Sequence, residues 1–332
     1  MENKHVALSA PLQLLPPVDF CCAYGSALLP CNQNKATTMV DYILGVSDPV
    51  QWHSENLEKN RDHYASWMAY LGPKMITKVA DGIGVGVHFN PFVALNEERM
   101  IKYGVVRMHD LVQDLLNWES FYLSGRLQKP VYVLADNLDI GNINSVNLKA
   151  ATSAALLLLP PEFTEGDLYA KICALSYMGD LRMLFAEDRN KVKKIVQGSF
   201  GSFQAMYKPF LDEFAAKGLL KISLSGGYQA AIKQDCSLSA SRSLVSTLPQ
   251  RIRSQMGMKL QGNDKPGNSG QMVHNVALTS REEAAKCIQK VVRRLVMVSS
   301  ARQAVSGVLA AGGVNACRYL VNKMSKAWKS HI

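Results

Sequence analysis

The feature that most constrains this chain is a pair of apolar stretches, each too short for an ordinary helix, joined through a glycine–serine turn. Val18 to Ala23 ends at Tyr24-Gly25-Ser26; after polar residues at Lys35 to Thr38 the chain is apolar again from Met39 to Val46. Runs of this length bounded by turn residues read as buried strands. Asp48-Pro49 stops the second, because proline lacks a donor and restricts the residue before it. Helix and strand then alternate. A helix is expected from Val50 to about Tyr70, and a strand from Gly82 to Phe89 with Gly84 and Gly86 interleaved. A second helix is expected from Met108 to Leu123, where Leu111, Leu115, Trp118 and Tyr122 recur at spacings of three and four, and a further strand from Pro130 to Leu134. The first half is therefore α/β in class.

The character changes after about residue 145. Leu148–Leu159, Glu165–Tyr177, Asp180–Val196 and Phe203–Phe214 read as helices with short links, so a second, mainly helical domain is expected. Cys236 to Asn275 is rich in Ser, Gly and Gln and reads as a flexible connection, before helix resumes at Glu282–Val298. The expected division is 1–145, 146–235, a connection over 236–280, and C-terminal helices over 281–332.

The formal net charge of +10 over 332 residues suits an anionic partner, whether nucleotide phosphates, nucleic acid or an acidic membrane surface, and composition does not choose among them. Seven scattered cysteines without a C-x-x-C pair argue against a zinc site or a secreted disulfide framework and favour a reducing compartment. The longest apolar run, Ala154 to Leu159, is far short of a membrane span. The opening residues Met1 to His5 include an early Glu and no Arg, which makes a poor transit peptide.

The chemistry is expected at the first turn. A Gly-Ser turn lets backbone amides and a hydroxyl approach phosphate oxygens, and Asp41 on the next strand could hold magnesium, which usually binds one or two carboxylates plus substrate phosphates. That arrangement is the one used by polymerase-beta-type nucleotidyltransferases. Their usual second carboxylate, two residues on, is replaced by Ile43. The next acid, Asp48, is seven residues from Asp41, an odd spacing that puts it on the opposite face of a regular strand unless the chain bends at Gly45 or before Pro49. Asp48 reads equally well as the N-cap of the following helix.

Further motifs run through the chain: Asp48-Pro49-Val50-Gln51-Trp52-His53, Asn56-Leu57 with Asn60 and His63-Tyr64, Leu71-Gly72-Pro73-Lys74, and Ile101-Lys102-Tyr103-Gly104. They continue with Asp114-Leu115-Leu116-Asn117-Trp118, Gly125-Arg126-Leu127-Gln128-Lys129-Pro130-Val131, Leu175-Ser176-Tyr177 with Gly179-Asp180 and Arg182-Met183, Glu187-Asp188 with Lys191-Val192, and Ser300, Arg302-Gln303 and Gly307. With Tyr24-Gly25-Ser26, these make the chain resemble the mitochondrial translocator assembly and maintenance family, the matrix-side phosphatidate cytidylyltransferases. The resemblance is weak over Asp235 to Thr279. It departs at Ala27, where the family usually has glycine, and at Ala65, where it has serine. It implies a nucleotidyltransferase domain, a winged-helix-like helical domain, and CTP in the cleft between them.

The implied reaction is attack of the phosphate of phosphatidic acid on the α-phosphorus of CTP, giving CDP-diacylglycerol and pyrophosphate. On that basis Asp41, Lys129 and Arg126 are the expected catalytic residues. Tyr24, Gly25, Ser26, Lys74, Lys102 and Arg182 are expected at the nucleotide, and Asp41 and Asp48 at magnesium or another divalent cation. His53 and His63 are weighed as acid–base groups and set aside as helix-face or capping residues. From Asn315 to His331, Cys317, Leu320, Val321, Met324 and Trp328 share one helical face while Arg318, Lys323, Lys326 and Lys329 spread over the rest. Leu320, Met324, Lys326, Trp328 and Lys329 are the expected membrane contacts of an amphipathic C-terminal helix on an anionic inner-membrane surface, matrix side. No nucleic acid is expected. Two other readings stand beside this one: a nucleotidyltransferase acting on RNA or another phosphate acceptor, and an assembly adaptor with a degenerate nucleotide site, which Ala27 and Ile43 keep open.

Overall fold

In the computed structural model, residues 2–28, 39–95, 99–180, 183, 190–223, 230–260 and 278–312 are described, with the side chains of residues 2–4 and 26 apart. The first half builds one mixed sheet. Strands β1 (Phe20–Tyr24), β2 (Val40–Val46), β3 (Val87–Ala94), β4 (Met100–Arg107) and β5 (Tyr132–Asp136) lie in the order β3-β4-β2-β1-β5. β2 and β4 run parallel, and the other pairs are antiparallel. β4 is an element that the apolar-run reading did not anticipate; Lys102 and Gly104 interrupt its pattern, and both have work at the site.

The two-residue period of the strands sorts the sheet into two cores. Phe20, Cys22 and Ile43 point to one face, where Met108, Leu111 and Leu115 of the helix Met108–Asn117 cover them. Cys21, Ala23, Tyr42, Leu44 and Val46 point to the other, against Leu8, Leu15 and Trp52. Pro49–Lys59 is helical as expected, but the chain breaks at Asn60 and resumes as two short helices, Ser66–Leu71 and Pro73–Lys78. Gly72, at φ +80°, and Pro73 divide these two. Val79–Ile83 is a π-helical turn, so the expected strand from Gly82 begins only at Val87.

The second half packs around Ile140–Leu158, Glu165–Leu175, Lys191–Gly198 and Phe200–Ala216, with a small antiparallel sheet of β6 (Glu162–Thr164), β7 (Leu220–Ser223) and β8 (Ala231–Gln234) in the order β6-β8-β7. Two sequence expectations change here. Helix Ile140–Leu158 runs through residue 145, with Ile140 in the sheet core and Leu148 to Leu157 in the helical core. Leu238–Ser246 and Gln250–Leu260 are helices within the segment read as a flexible connection, and Leu244, Val245, Leu248, Ile252 and Met256 are buried in the helical core. Those apolar residues recur every three or four positions, a stripe that the abundant serines mask. Arg281–Ala311 is one helix of 31 residues, longer than its apolar pattern suggested. No helix among the described residues is long and apolar enough to cross a membrane.

Candidate active site

β1 and β2 meet so that Tyr24 pairs with Asp41, and the parallel pairing of β2 with β4 sets Lys102 beside Asp41. Register partners project from the same face, so Tyr24, Asp41 and Lys102 form a row across three strands. Gly25 follows in the left-handed region at φ +108°, and a Cβ built on it would lie 2.8 Å from Asp41 Oδ2. Only glycine leaves that carboxylate its place. Ala27 sits within the tight turn Ser26–Leu28 and is not among the positive-φ residues, so it is no obstacle to the turn.

Arg126 closes the row from above. Its guanidinium carbon is 4.2 Å from the Tyr24 ring centroid and 5.1 Å from that of Tyr122. Lys102 Nζ lies 4.4 Å over the Phe89 ring, and Phe89 meets Tyr122 edge to face at 6.2 Å. Two cations beside the Asp41 row are thus held by three aromatic rings, whose faces attract them. Gly104 makes this possible: a Cβ there would lie 2.5 Å from the Phe89 ring. Burial pushes the Tyr24 hydroxyl far above the usual phenol range; Arg126 opposes the shift and Asp41 adds to it. Burial likewise pushes the Cys22 thiol up to about 12, against the pull of Arg126, so both remain protonated at neutral pH.

The loop that carries Arg126 is clamped by two buried side chains. Asp114 accepts from the backbone N–H groups of Ser120, Phe121, Leu123 and Ser124 at 2.6–2.9 Å, and from the Ser120 hydroxyl at 3.0 Å. Asn147 accepts from Trp118 Nε1 and Gln128 Nε2 and donates to Ser124 O. Trp118 and Phe121 are held with positive φ in the same loop. From the helical half, Tyr207 donates to Gln128 O, and Lys129 Nζ donates to Gly125 O and, at 2.6 Å, to Ser176 Oγ. The segment Gly125–Lys129 is therefore gripped by both halves of the molecule.

The structure gathers Tyr24, Gly25, Asp41, Lys102 and Arg126. Lys129 is placed one turn further on, as a link to Ser176 and over the Tyr177 ring at 5.0 Å. Lys74 is set apart on Pro73–Lys78, which packs against Pro49–Lys59 and Ser66–Leu71. Asp48 follows the other end of β2 and caps Pro49–Lys59, accepting from Val50 N at 2.8 Å and Gln51 N at 3.2 Å. β2 carries the chain from Asp41 to Val46, roughly 17 Å of strand, before Ser47 turns into the helix, so Asp41 and Asp48 stand towards opposite ends of β2. No group of three or more His, Cys, Asp or Glu is placed to hold a metal among the described residues. Arg182, Leu320, Met324, Lys326, Trp328 and Lys329 lie outside the described residues, and so does the Ser26 side chain. Phe89, Tyr122, Asp114 and Asn147 are the residues that sequence reasoning missed; Asp114 stood inside a recognised motif without a role.

His53 and His63 belong to a buried polar network on the opposite face of the sheet. Tyr103 Oη takes N–H groups from Asn56 and Asn90 and pairs with His63 Nδ1, each at 2.8 Å. Tyr64 Oη links Asn56 to His53 Nδ1, and His88 Nε2 pairs with Asn90 Oδ1 at 3.0 Å. Burial pushes His88 down to about 4 and His53 well below the usual imidazole range. These histidines are neutral structural groups.

A sequence profile of the family described as "Phosphatidate cytidylyltransferase, mitochondrial" matches residues 8–326. Proteins of that name are similar to this chain along nearly its whole length. The Danio rerio protein is 34% identical over 323 residues (94% of this chain, 92% of the relative), and the Bos taurus protein 34% over 340 (100% and 97%). The Caenorhabditis elegans protein is 32% identical over 318 residues (95% and 96%). With the match spanning both halves of the fold and the Tyr24–Asp41–Lys102 row that they frame, the chain belongs to the mitochondrial phosphatidate cytidylyltransferase family.

Proposed function

We propose that this protein transfers the cytidylyl group of CTP to the phosphate of phosphatidic acid, forming CDP-diacylglycerol and pyrophosphate for cardiolipin and phosphatidylglycerol synthesis. The observation that carries the reading is the Asp41 carboxylate, kept clear by Gly25 and flanked by Lys102 and Arg126. We read the five-stranded sheet as a polymerase-beta-type nucleotidyltransferase unit and the helices with β6-β8-β7 as its winged-helix-like partner. CTP lies along the Gly25 turn.

The attacking phosphate monoester has a second pKa of about 6 and is already largely dianionic near neutral pH, so no general base is required. The barrier is the meeting of two anions, which fixed cations lower. Arg126 suits bidentate contact with phosphate oxygens, and Lys102 acts as a point charge beside them. Their aromatic supports hold both in place before substrate arrives. Magnesium fits Asp41, because one carboxylate beside a gap that a Cβ would fill is what such an ion takes from a protein when phosphates supply the rest. Bound there, it supplies charge neutralisation at the nucleotide phosphates. Lys129 joins the Arg126 turn to Ser176 and so couples the site to the helical half. The acceptor places the enzyme at a membrane surface, which we take to be the matrix side of the inner membrane, with the protein peripheral and residues Leu320 to Lys329 among its anchors.

Labelled CTP, magnesium and either phosphatidic acid vesicles or tRNA will test the reading. Label is expected in CDP-diacylglycerol, and transfer to RNA alone would refute it. Asp41→Asn is expected to lower turnover at least about 100-fold with an unchanged melting temperature, in the range of losing a charge-stabilising group. Full turnover would remove Asp41 from the site.

A further inference from the structure

The helix Ser66–Leu71 buries one side and presents the other. Met68 and Ala69 pack into a small core with Leu57, Ile76 and Val79, whereas Trp67 is 38%, Leu71 47% and Tyr70 83% exposed. Trp67, Tyr70 and Leu71 stand at i, i+3 and i+4, one face of a helix. Beyond Gly72, Lys74 and Lys78 are exposed on the next helix. Met68 and Ala69 hold this element down, Trp67 is partly covered, and Tyr70 stands furthest into solvent.

A second observation concerns where the chain goes. The helix Arg281–Ala311 ends against this element: Leu309 packs on the same small core, and a Cβ on Gly312 would lie 3.6 Å from the Ala65 Cβ. Gly312 therefore stands beside Ser66–Leu71, and the sequence that follows it carries an apolar stripe with lysines around it (Leu320, Met324 and Trp328 with Lys326 and Lys329). In sequence the two stretches share one chemistry, aromatic and aliphatic residues with lysines among them.

We propose that the face formed by Trp67, Tyr70 and Leu71, rimmed by Lys74 and Lys78, docks onto the surface of an anionic lipid bilayer. Aromatic rings with a polar tip settle at the headgroup boundary, and lysines beside them meet lipid phosphates. A short face of this kind makes only a weak contact alone, and its part is to orient the body once other contacts hold the protein to the membrane. The proposal rests on the reading that the acceptor is a lipid that stays in its bilayer.

The test compares the full chain with Trp67→Ser/Tyr70→Ser on vesicles of phosphatidylcholine, phosphatidic acid and cardiolipin, and on dioctanoyl phosphatidic acid below its micellar concentration. The expected result is about a tenfold loss of vesicle flotation and of vesicle-dependent turnover, in the range of removing two interfacial aromatics. Turnover on the soluble acceptor is expected to stay at the wild-type value, while the melting temperature falls by a few degrees because Trp67 is 38% exposed and its remaining surface is packed. Undiminished flotation would overturn the proposal. So would a change of oligomeric state with flotation intact, which would mean that a second copy covers this face. If neither protein makes CDP-diacylglycerol but the variant still loses flotation, the cytidylyltransferase reading fails and the docking face stands.

Discussion

At the scale of single residues, Gly25 and Asp41 define each other. Gly25→Ala forces an L side chain into a left-handed conformation, at a cost of roughly 1 kcal/mol, and drives its methyl group into the Asp41 carboxylate. Turnover is expected to fall at least tenfold while the melting temperature drops only a few degrees; equal activity would show that the carboxylate tolerates displacement. The pairing of a glycine turn with Asp41 was legible in the sequence because both depend on local residue type. Asp48 was legible only as a choice between metal ligand and helix cap, and the structure shows it capping Pro49–Lys59. Lys102 could be named from its motif, but its ring support could not. That depends on β4 pairing with β3 and on Gly104 leaving space for Phe89, contacts that no spacing along the chain encodes.

Among elements, the loop from Trp118 to Lys129 shows how much a short segment can owe to one buried acid. Its positive-φ residues and one-turn helix have little intrinsic stability, and the Asp114 carboxylate satisfies four of its backbone donors. Asp114→Asn replaces an acceptor oxygen by an N–H donor facing other donors. The expected loss is about 3 kcal/mol in urea unfolding, with weakened CTP binding in the protein that remains folded, because Arg126 is carried by this loop. Unchanged stability would mean that Asn147 and Tyr207 suffice to hold it. Periodicity gave the preceding helix a length that overshot: Trp118 and Tyr122 continue its apolar spacing, yet the helix ends at Asn117 because Trp118 turns left-handed. The reverse error occurred at Leu238–Leu260, where polar composition concealed a helical stripe.

For the whole molecule, the neutral histidines set the acid limit. His88 is fully buried and its Nδ1 has no partner, so a second proton would leave a charged donor unsatisfied. Below pH 6.5 the unfolded chain takes up protons that folded His88 refuses until about pH 4, so stability falls as the pH drops through that window. His88 alone accounts for about 3 kcal/mol, and His53 acts in the same direction. Urea midpoints measured from pH 7 to pH 4 are expected to decline, with a shallower slope in His88→Gln; a flat wild-type profile would mean that the network admits water. The helix Arg281–Ala311, about 46 Å long at 1.5 Å per residue, has a different consequence. Its first half belongs to the helical core, while Gln303 donates to Val87 O across 216 positions of sequence and Arg302 closes the carbonyl end of the Val79–Ile83 turn. The sheet that holds the candidate site is thus completed by residues 216 to 219 positions further along the chain. A variant truncated before residue 300 is expected to carry β3 and the 79–83 turn without these partners and with more apolar surface open. Folding of the sheet that holds the candidate site is therefore tied to contacts of long sequence separation rather than to its own neighbouring segments.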